Sequence, residues 1–286
     1  MEVTRVQSVL KALGDYKGSI DGKAGTQTKD ACNAYLHRTG VEFDLNKPPD
    51  LPFAEPLFWV RPHVWREPDF VPRWKGNATY CLVANDGSRG GEFKPFAGVL
   101  DVAVRLRNLG FNVSAMLWLV PTNAYVRDML AFMLKCKKLG ITYMFDAEES
   151  FFAVSSSLQH QAAFRAVDSV GAYEFTCIAS RYTAPKFDSW LESPRCVATF
   201  VQAYADSRVR HDSAGGARPG YVQRYALTQL GKRDLPKTFL GVPNYGDVDF
   251  DSLRVQFETA VYARPCRVGV WAYSKQNASY FDKVLT

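Results

Sequence analysis

The chain has 286 residues, 47% of them hydrophobic, 14% aromatic and 22% charged, a composition that fits a folded globular protein and excludes a disordered tail. It contains no run of about 18 uninterrupted apolar residues, which excludes a membrane-spanning helix in this stretch. The net charge of +6 suits nucleic acid, a membrane surface or an anionic polymer; without a basic run or basic helix face it does not choose among them.

At the start of the chain, Val6, Val9, Leu10 and Leu13 recur at helical spacing up to Gly14, which predicts a first helix. Gly18, Asp21, Gly22 and Gly25 mark turns. A second helix is predicted over about Thr28 to His37, with Ala31 and Tyr35 on one face and Thr26 or Thr28 as cap. About 45 residues hold only a small core, which favours a binding module over a catalytic domain. Between Pro48 and Pro72 prolines stand at 48, 49, 52, 56, 62, 68 and 72, a density that forbids a long helix and favours an extended connector. The expected division is therefore residues 1–45 as a helical module, 46–56 as a Pro-rich linker and 57–286 as a second domain.

In the second domain, strands are predicted at Tyr80 to Asn85, Val113 to Leu119, Thr142 to Asp146, Phe175 to Ser180, Ala198 to Ala203, Thr238 to Val242 and Val268 to Ala272. Helical patterns separate most of them, at Val99 to Leu109, Val126 to Leu139 and Leu158 to Val170. Repeated β-then-α order means a parallel sheet with helices outside. The expected fold class is thus α/β, a (β/α)8-like barrel, regular or not, preceded by a small all-α N-terminal domain. The eighth strand is either Leu57 to Val60 or Tyr221 to Tyr225. Lys135 to Lys138 reads as favourable charge at a helix C-terminus before Gly140.

Cysteines 32, 81, 136, 177, 196 and 266 stand far apart with no CxxC, which fits reduced thiols in a protein folded in the cytoplasm. The N-terminus lacks an apolar core followed by a cleavage site, so no signal peptide is expected. His37, His63, His160 and His211 show no HxH or HExxH spacing, and neither a metal nor a cofactor is expected.

The chemistry concentrates at strand ends. In FDAEES, Phe145 to Ser150, strand alternation puts Asp146 and Glu148 on one face and Glu149 on the other. The C-terminal strand ends of a parallel barrel form its active face. Glycoside hydrolysis needs one carboxyl that keeps its proton and a neighbouring carboxylate that raises its pKa. An isolated Asp-x-Glu is more simply explained as a cap for the next helix, near Ser155 to Ser157, so the other strand ends matter. Asp86 is in phase with Leu82 and Ala84 and is expected to face inward. Gln202, Tyr204 and Asp206 share a face, as do Trp271 and Tyr273, and Trp118 ends the strand containing Met116. Aromatic platforms with polar side chains beside them suit a sugar cleft. Ser207 to Gly220 reads as a mobile loop over that cleft.

Two resemblances join these readings. Val6-Gln7, Leu13-Gly14, Asp21-Gly22 and Gly25-x-x-Thr28 stand in the order found in the peptidoglycan-binding type 1 domain, which the first module resembles. It departs at Tyr35-Leu36, where that family commonly has an aromatic followed by Gln. The resemblance makes Gln7, Asp21 and Thr28 binding candidates, although turn and cap chemistry alone accounts for each.

The second domain resembles TIM-barrel glycosidases acting on N-acetylated sugars. Asp146-Ala147-Glu148 and Trp271-Ala272-Tyr273-Ser274 are similar to family 25 lysozymes. GVPNYG, Gly241 to Gly246, is similar to a family 18 strand motif, but Met144 stands where that family's longer Asp-x-Asp-x-Glu has its first Asp. Together the halves look like a modular phage endolysin.

That resemblance implies a muramidase with Glu148 as general acid, Asp146 tuning it and, if the substrate N-acetyl group is the nucleophile, orienting that group, and Asp86 as a candidate second carboxylate. Tyr204, Gln202, Trp271, Tyr273, Tyr245 and Trp118 would contact sugar. An N-acetylglucosaminidase and a barrel that only binds wall are the alternatives. Bacterial peptidoglycan is the expected partner of a monomer that binds no nucleic acid and does not insert stably in membranes. It would act from the host cytoplasm, reaching the wall through a pore made by another protein.

Overall fold

A computed structural model describes residues 2–39, 45, 54–86, 92–178, 184–203, 226, 238–244, 248, 250–263, 266–273 and 278–285. Two helices come first, α1 (Glu2–Leu13) and α2 (Thr26–Thr39). Eight parallel strands then close into a barrel in chain order: β1 (Ala54–Val60), β2 (Thr79–Val83), β3 (Asn112–Trp118), β4 (Thr142–Asp146), β5 (Tyr173–Ile178), β6 (Cys196–Gln202), β7 (Thr238–Pro243) and β8 (Cys266–Trp271). Around it lie α3 (Pro62–Trp65), α4 (Val99–Asn108), α5 (Asn123–Lys138), α6 (Glu149–Ala153), α7 (Ser157–Asp168), α8 (Asp188–Glu192), α9 (Phe250–Ala263) and α10 (Ala278–Leu285). The expected (β/α)8 barrel behind a small helical domain is what the chain forms.

The barrel closes through β1, which pairs with β8 on one side and β2 on the other, so the first strand completes the set of eight. Residues 221–225, the other candidate, lie outside the described residues, as do 46–53 of the expected linker. β1 begins at Ala54, three residues ahead of the expected start of the second domain at residue 57. Pro56 fits inside the strand because β1 there has only β8 in register, β2 joining at Leu57.

Strand alternation sorts side chains into two cores. Leu57, Trp59, Cys81, Val83, Met116, Met144, Ala198 and Phe200 fill the lumen. Phe58, Leu82, Leu117, Phe145 and Val201 point outward under the helices. α4 buries Val99, Ala103 and Leu106, and α5 buries Val126, Met129, Met133 and Cys136, one stripe each. Lys135, Lys137 and Lys138 do lie in the last turn of α5, and Lys137 Nζ donates to Val170 O at 2.7 Å. Cys32, Cys81, Cys136, Cys177 and Cys196 are buried.

Trp59 sets the depth of the lumen. Its Nε1 donates to Met144 Sδ at 3.2 Å, so Met144 serves as its packing partner. Gly241 and Gly269 face the indole, and a Cβ at Gly269 would run into the ring. Below it, Arg267 donates to Glu174 at 2.6 Å and Thr79 to Glu55 at 3.1 Å, a polar layer at the N-terminal mouth.

The helical module has its own small core of Val6, Val9, Leu10, Tyr16, Ala31, Cys32 and Tyr35. It also touches the barrel. Arg5 donates through Nε and Nη2 to Glu258 on α9, at 3.1 and 2.6 Å, and the Glu258 side chain is only 1% exposed.

Candidate active site

Trp118, Asp146, Gln202 and Trp271 are the last residues of β3, β4, β6 and β8. With Trp59, Met116 and Glu148 they line one cavity of about 250 Å³ at the C-terminal end of the barrel. Five residues singled out in the sequence, Asp146, Glu148, Gln202, Trp118 and Trp271, therefore meet.

Their orientation follows from local bonding. Beyond β4, Asp146 O accepts from Leu119 N at 2.9 Å and Ala147 N donates to Thr176 O at 3.0 Å. Both neighbouring strands thus hold the backbone, and the inward phase of Met144 and Asp146 carries on to Glu148. Glu148 occupies the N-cap position of α6 without a side-chain cap bond, while Ser156 Oγ caps α7 by accepting from Gln159 N. Capping therefore does not consume the Glu148 carboxyl.

Gln202 Nε2 donates to Asp146 Oδ1 at 3.2 Å and to Thr176 Oγ1 at 3.3 Å. The Thr176 hydroxyl gives its own proton to Phe200 O at 2.9 Å, so it can only accept from Gln202. That fixes which end of the amide faces the acid.

Burial pushes the Asp146 carboxyl well above the usual carboxylate range, the nearby Glu148 charge adds to this, and the Gln202 donor opposes it. Burial also raises Glu148, with Gln202 opposing and Glu149 reinforcing. Such a pair keeps a proton where ordinary carboxyls have lost theirs.

Trp118 is held by a residue the sequence reading passed over. Asn85 is fully buried, and its Oδ1 accepts from Trp118 N at 3.0 Å. Asn85 Nδ2 donates to Tyr125 OH at 2.6 Å, which in turn donates to Trp118 O at 2.8 Å. Both backbone polar groups of Trp118 are thereby satisfied at the strand end.

The neighbouring expectation is corrected. Leu82 and Ala84 belong to the outer core, so Asp86, in phase with them, is carried outward; it is exposed and does not line the cavity. Tyr273 is corrected too. β8 ends at Trp271, so alternation does not reach it, and its ring lies among Phe58, Phe70, Trp74 and Tyr80. Its hydroxyl accepts from Arg73 N at 3.1 Å. Tyr204, Tyr245, Asp206 and the stretch 207–220 lie outside the described residues. Trp59 and Met116 join the lining unforeseen, since mid-strand apolar residues carry no signal distinguishing lining from core.

In the helical module, Gln7, Asp21 and Thr28 form one network. Gln7 is fully buried; its Nε2 reaches Asp21 Oδ1 at 2.9 Å and Thr28 Oγ1 at 3.0 Å, and its Oε1 accepts from the N–H of Asp21 and Gly22 at 3.0 and 2.9 Å. Thr28 Oγ1 donates to Lys23 O at 3.0 Å, so it ties the loop instead of capping α2. All three side chains hold the turn region together. Asp21 remains exposed, its carboxyl held below the ordinary value by the Gln7 hydrogen bond.

No family model matches the chain, and no curated protein matches its sequence. Among solved structures it is similar to the spore cortex-lytic enzyme SleL of Bacillus cereus, with a TM-score of 0.58, 12% identity, and coverage of 100% of this chain and 84% of that one. It is also similar to the GH26 domain of an endo-β-mannanase/endo-β-glucanase from Prevotella bryantii (TM-score 0.45, 12% identity, 93% and 95% covered). A third is a GH113 β-1,4-mannanase (TM-score 0.47, 11% identity, 80% and 92% covered). The chain shares the barrel fold of SleL, and within that fold it sets a proton-retaining carboxyl pair against tryptophans at the C-terminal mouth.

Proposed function

We propose that this protein is a glycoside hydrolase that cuts the glycan strand of bacterial peptidoglycan as a muramidase does, with Glu148 as general acid. The observation that carries this reading is the upward-shifted Asp146–Glu148 pair inside a cavity walled by Trp59, Trp118 and Trp271. Sugar rings stack on such aromatic walls. Glu148, the more open of the two acids, passes its proton to the glycosidic oxygen as the bond to the sugar breaks, and a water supplies both the new oxygen on the anomeric carbon and the proton that restores the acid. Asp146 behind it sets how readily that proton is held and, if the substrate N-acetyl group is the nucleophile, orients that group, while Gln202 fixes Asp146.

The likeness in fold to a cortex-lytic enzyme supports a wall substrate, and the +6 charge favours approach to an anionic envelope. On this reading the helical module of residues 1–45 is the wall anchor. The protein works as a monomer without nucleic acid, in the manner of a phage endolysin released to the wall from the host cytoplasm by a separate pore.

The test is product analysis by mass spectrometry on purified sacculi treated with wild type and Glu148→Gln. Wild type is expected to release fragments with muramic acid reducing ends, and Glu148→Gln to be slower by about 10²–10⁴-fold. Activity should fall as pH rises through the raised value of Glu148, because the acid must be protonated. Glucosamine ends would assign the other glycosidic bond. Full activity in Glu148→Gln would remove its role, and no release by wild type would leave a wall-binding barrel.

A further inference from the structure

We propose that Arg61 makes the cavity selective for sugars that carry a carboxylate, so that strands containing muramic acid are preferred over neutral N-acetylated glycans; this rests on the glycan-hydrolase reading above. Arg61 directly follows β1 at the C-terminal mouth, where it is the extended N-cap residue of α3. β1 pairs with β8 so that Trp59 stands opposite Trp271. The Arg61 guanidinium carbon lies 5.2 Å from the centre of the Trp271 ring, which itself lines the cavity.

The backbone there is fixed: Arg61 O accepts from Val64 N at 3.0 Å and Trp65 N at 3.1 Å, and Trp65 is buried with its Nε1 on Val83 O. Arg61 is thus a half-buried cation held beside an aromatic wall. It is not what sustains the acid pair, whose raised values come from burial, from the Glu148 charge beside Asp146 and from the Glu149 charge beside Glu148, with Gln202 opposing both.

A sugar lying against Trp271 meets a proton donor towards β4 and a guanidinium towards β1. Neutral hydroxyls and acetamides gain little from a guanidinium, whereas a carboxylate gains a charge-assisted, two-pronged hydrogen bond. On a muramic acid strand that group has two sources: the lactyl carboxylate where peptide has been stripped, or a carboxylate of the attached peptide.

The experiment measures steady-state cleavage of four strand preparations, peptide-free and peptide-bearing, each with carboxylates free or capped as methylamides. Wild type is expected to show a kcat/KM about tenfold higher on the free-carboxylate strands, carried by KM. Arg61→Gln should bring that ratio below about twofold with kcat unchanged. Arg165→Gln, which removes the same charge from the exposed last turn of α7, should keep the ratio. A ratio already present without peptide identifies the lactyl group, and one seen only with peptide identifies the peptide carboxylate.

Equal cleavage of free and capped strands by wild type, or a ratio that survives Arg61→Gln, overturns the proposal. The same strands titrated calorimetrically into Glu148→Gln and Glu148→Gln/Arg61→Gln separate the two claims. If no strand is cut, hydrolysis falls; carboxylate-dependent affinity lost with Arg61 still sustains the selectivity, and its absence removes that as well.

Discussion

Asp146 shows how a single residue can serve a site at the expense of the fold. It is 2% exposed, and its carboxyl titrates well above its ordinary value of 3.8 because burial disfavours the charge. A group raised in the folded state contributes its stability in full below the unfolded value and loses it as pH rises through the folded one. Wild type should therefore lose stability on going from acid towards neutral pH. Asp146→Asn keeps a hydrogen-bonding side chain of similar shape but cannot ionise, so this decline should flatten. Urea midpoints measured across that pH range check it; an unchanged slope would mean that Asp146 does not carry the buried proton. The same residue was legible from the sequence, since FDAEES closes a strand with a carboxylate in phase with the lumen.

At the scale of strands and helices, legibility depended on whether the two faces differ. β4 and β6 end in polar residues, so their inward face declares itself at Asp146 and Gln202. β2 is buried along its whole length, apolar towards both the lumen and the helices, so its phase cannot be read from hydrophobicity. That is why Asp86 attracted attention and the buried Asn85, one residue earlier, did not. Trp59 was silent for the same reason. Its space is created by the missing side chains of Gly241 and Gly269 on the next strands round the barrel. Gly269→Ala is expected to cost about 1–3 kcal/mol through overpacking against the indole. Adding Trp59→Phe should recover part of that loss, a coupling visible in thermal melts of the single and double variants. Simple additivity would show that the two residues do not share the space.

For the whole molecule, the join between the helical module and the barrel is a contact as well as a connection. Arg5 and Glu258 hold α1 on α9, with Arg254 of α9 at 3.8 Å from the same carboxylate. Burial still leaves Glu258 raised above its ordinary value despite both cations, so the pair sits where charge is costly to strand. Arg5→Ala should cost about 1–3 kcal/mol, less than a fully isolated buried charge because Arg254 remains. A lower urea midpoint would register it; an unmoved midpoint would show the pair to be idle.

An anchor on a loose tether presents its target at an effective concentration set by tether length, and can search many spacings. An anchor clamped to a helix of the barrel offers one separation and one angle. If the helical module is the wall anchor proposed above, its benefit would depend on the periodicity of the polymer, gained where two binding points fall in register with the clamp and absent elsewhere, and the Arg5–Glu258 pair would convert reach into selection by repeat length.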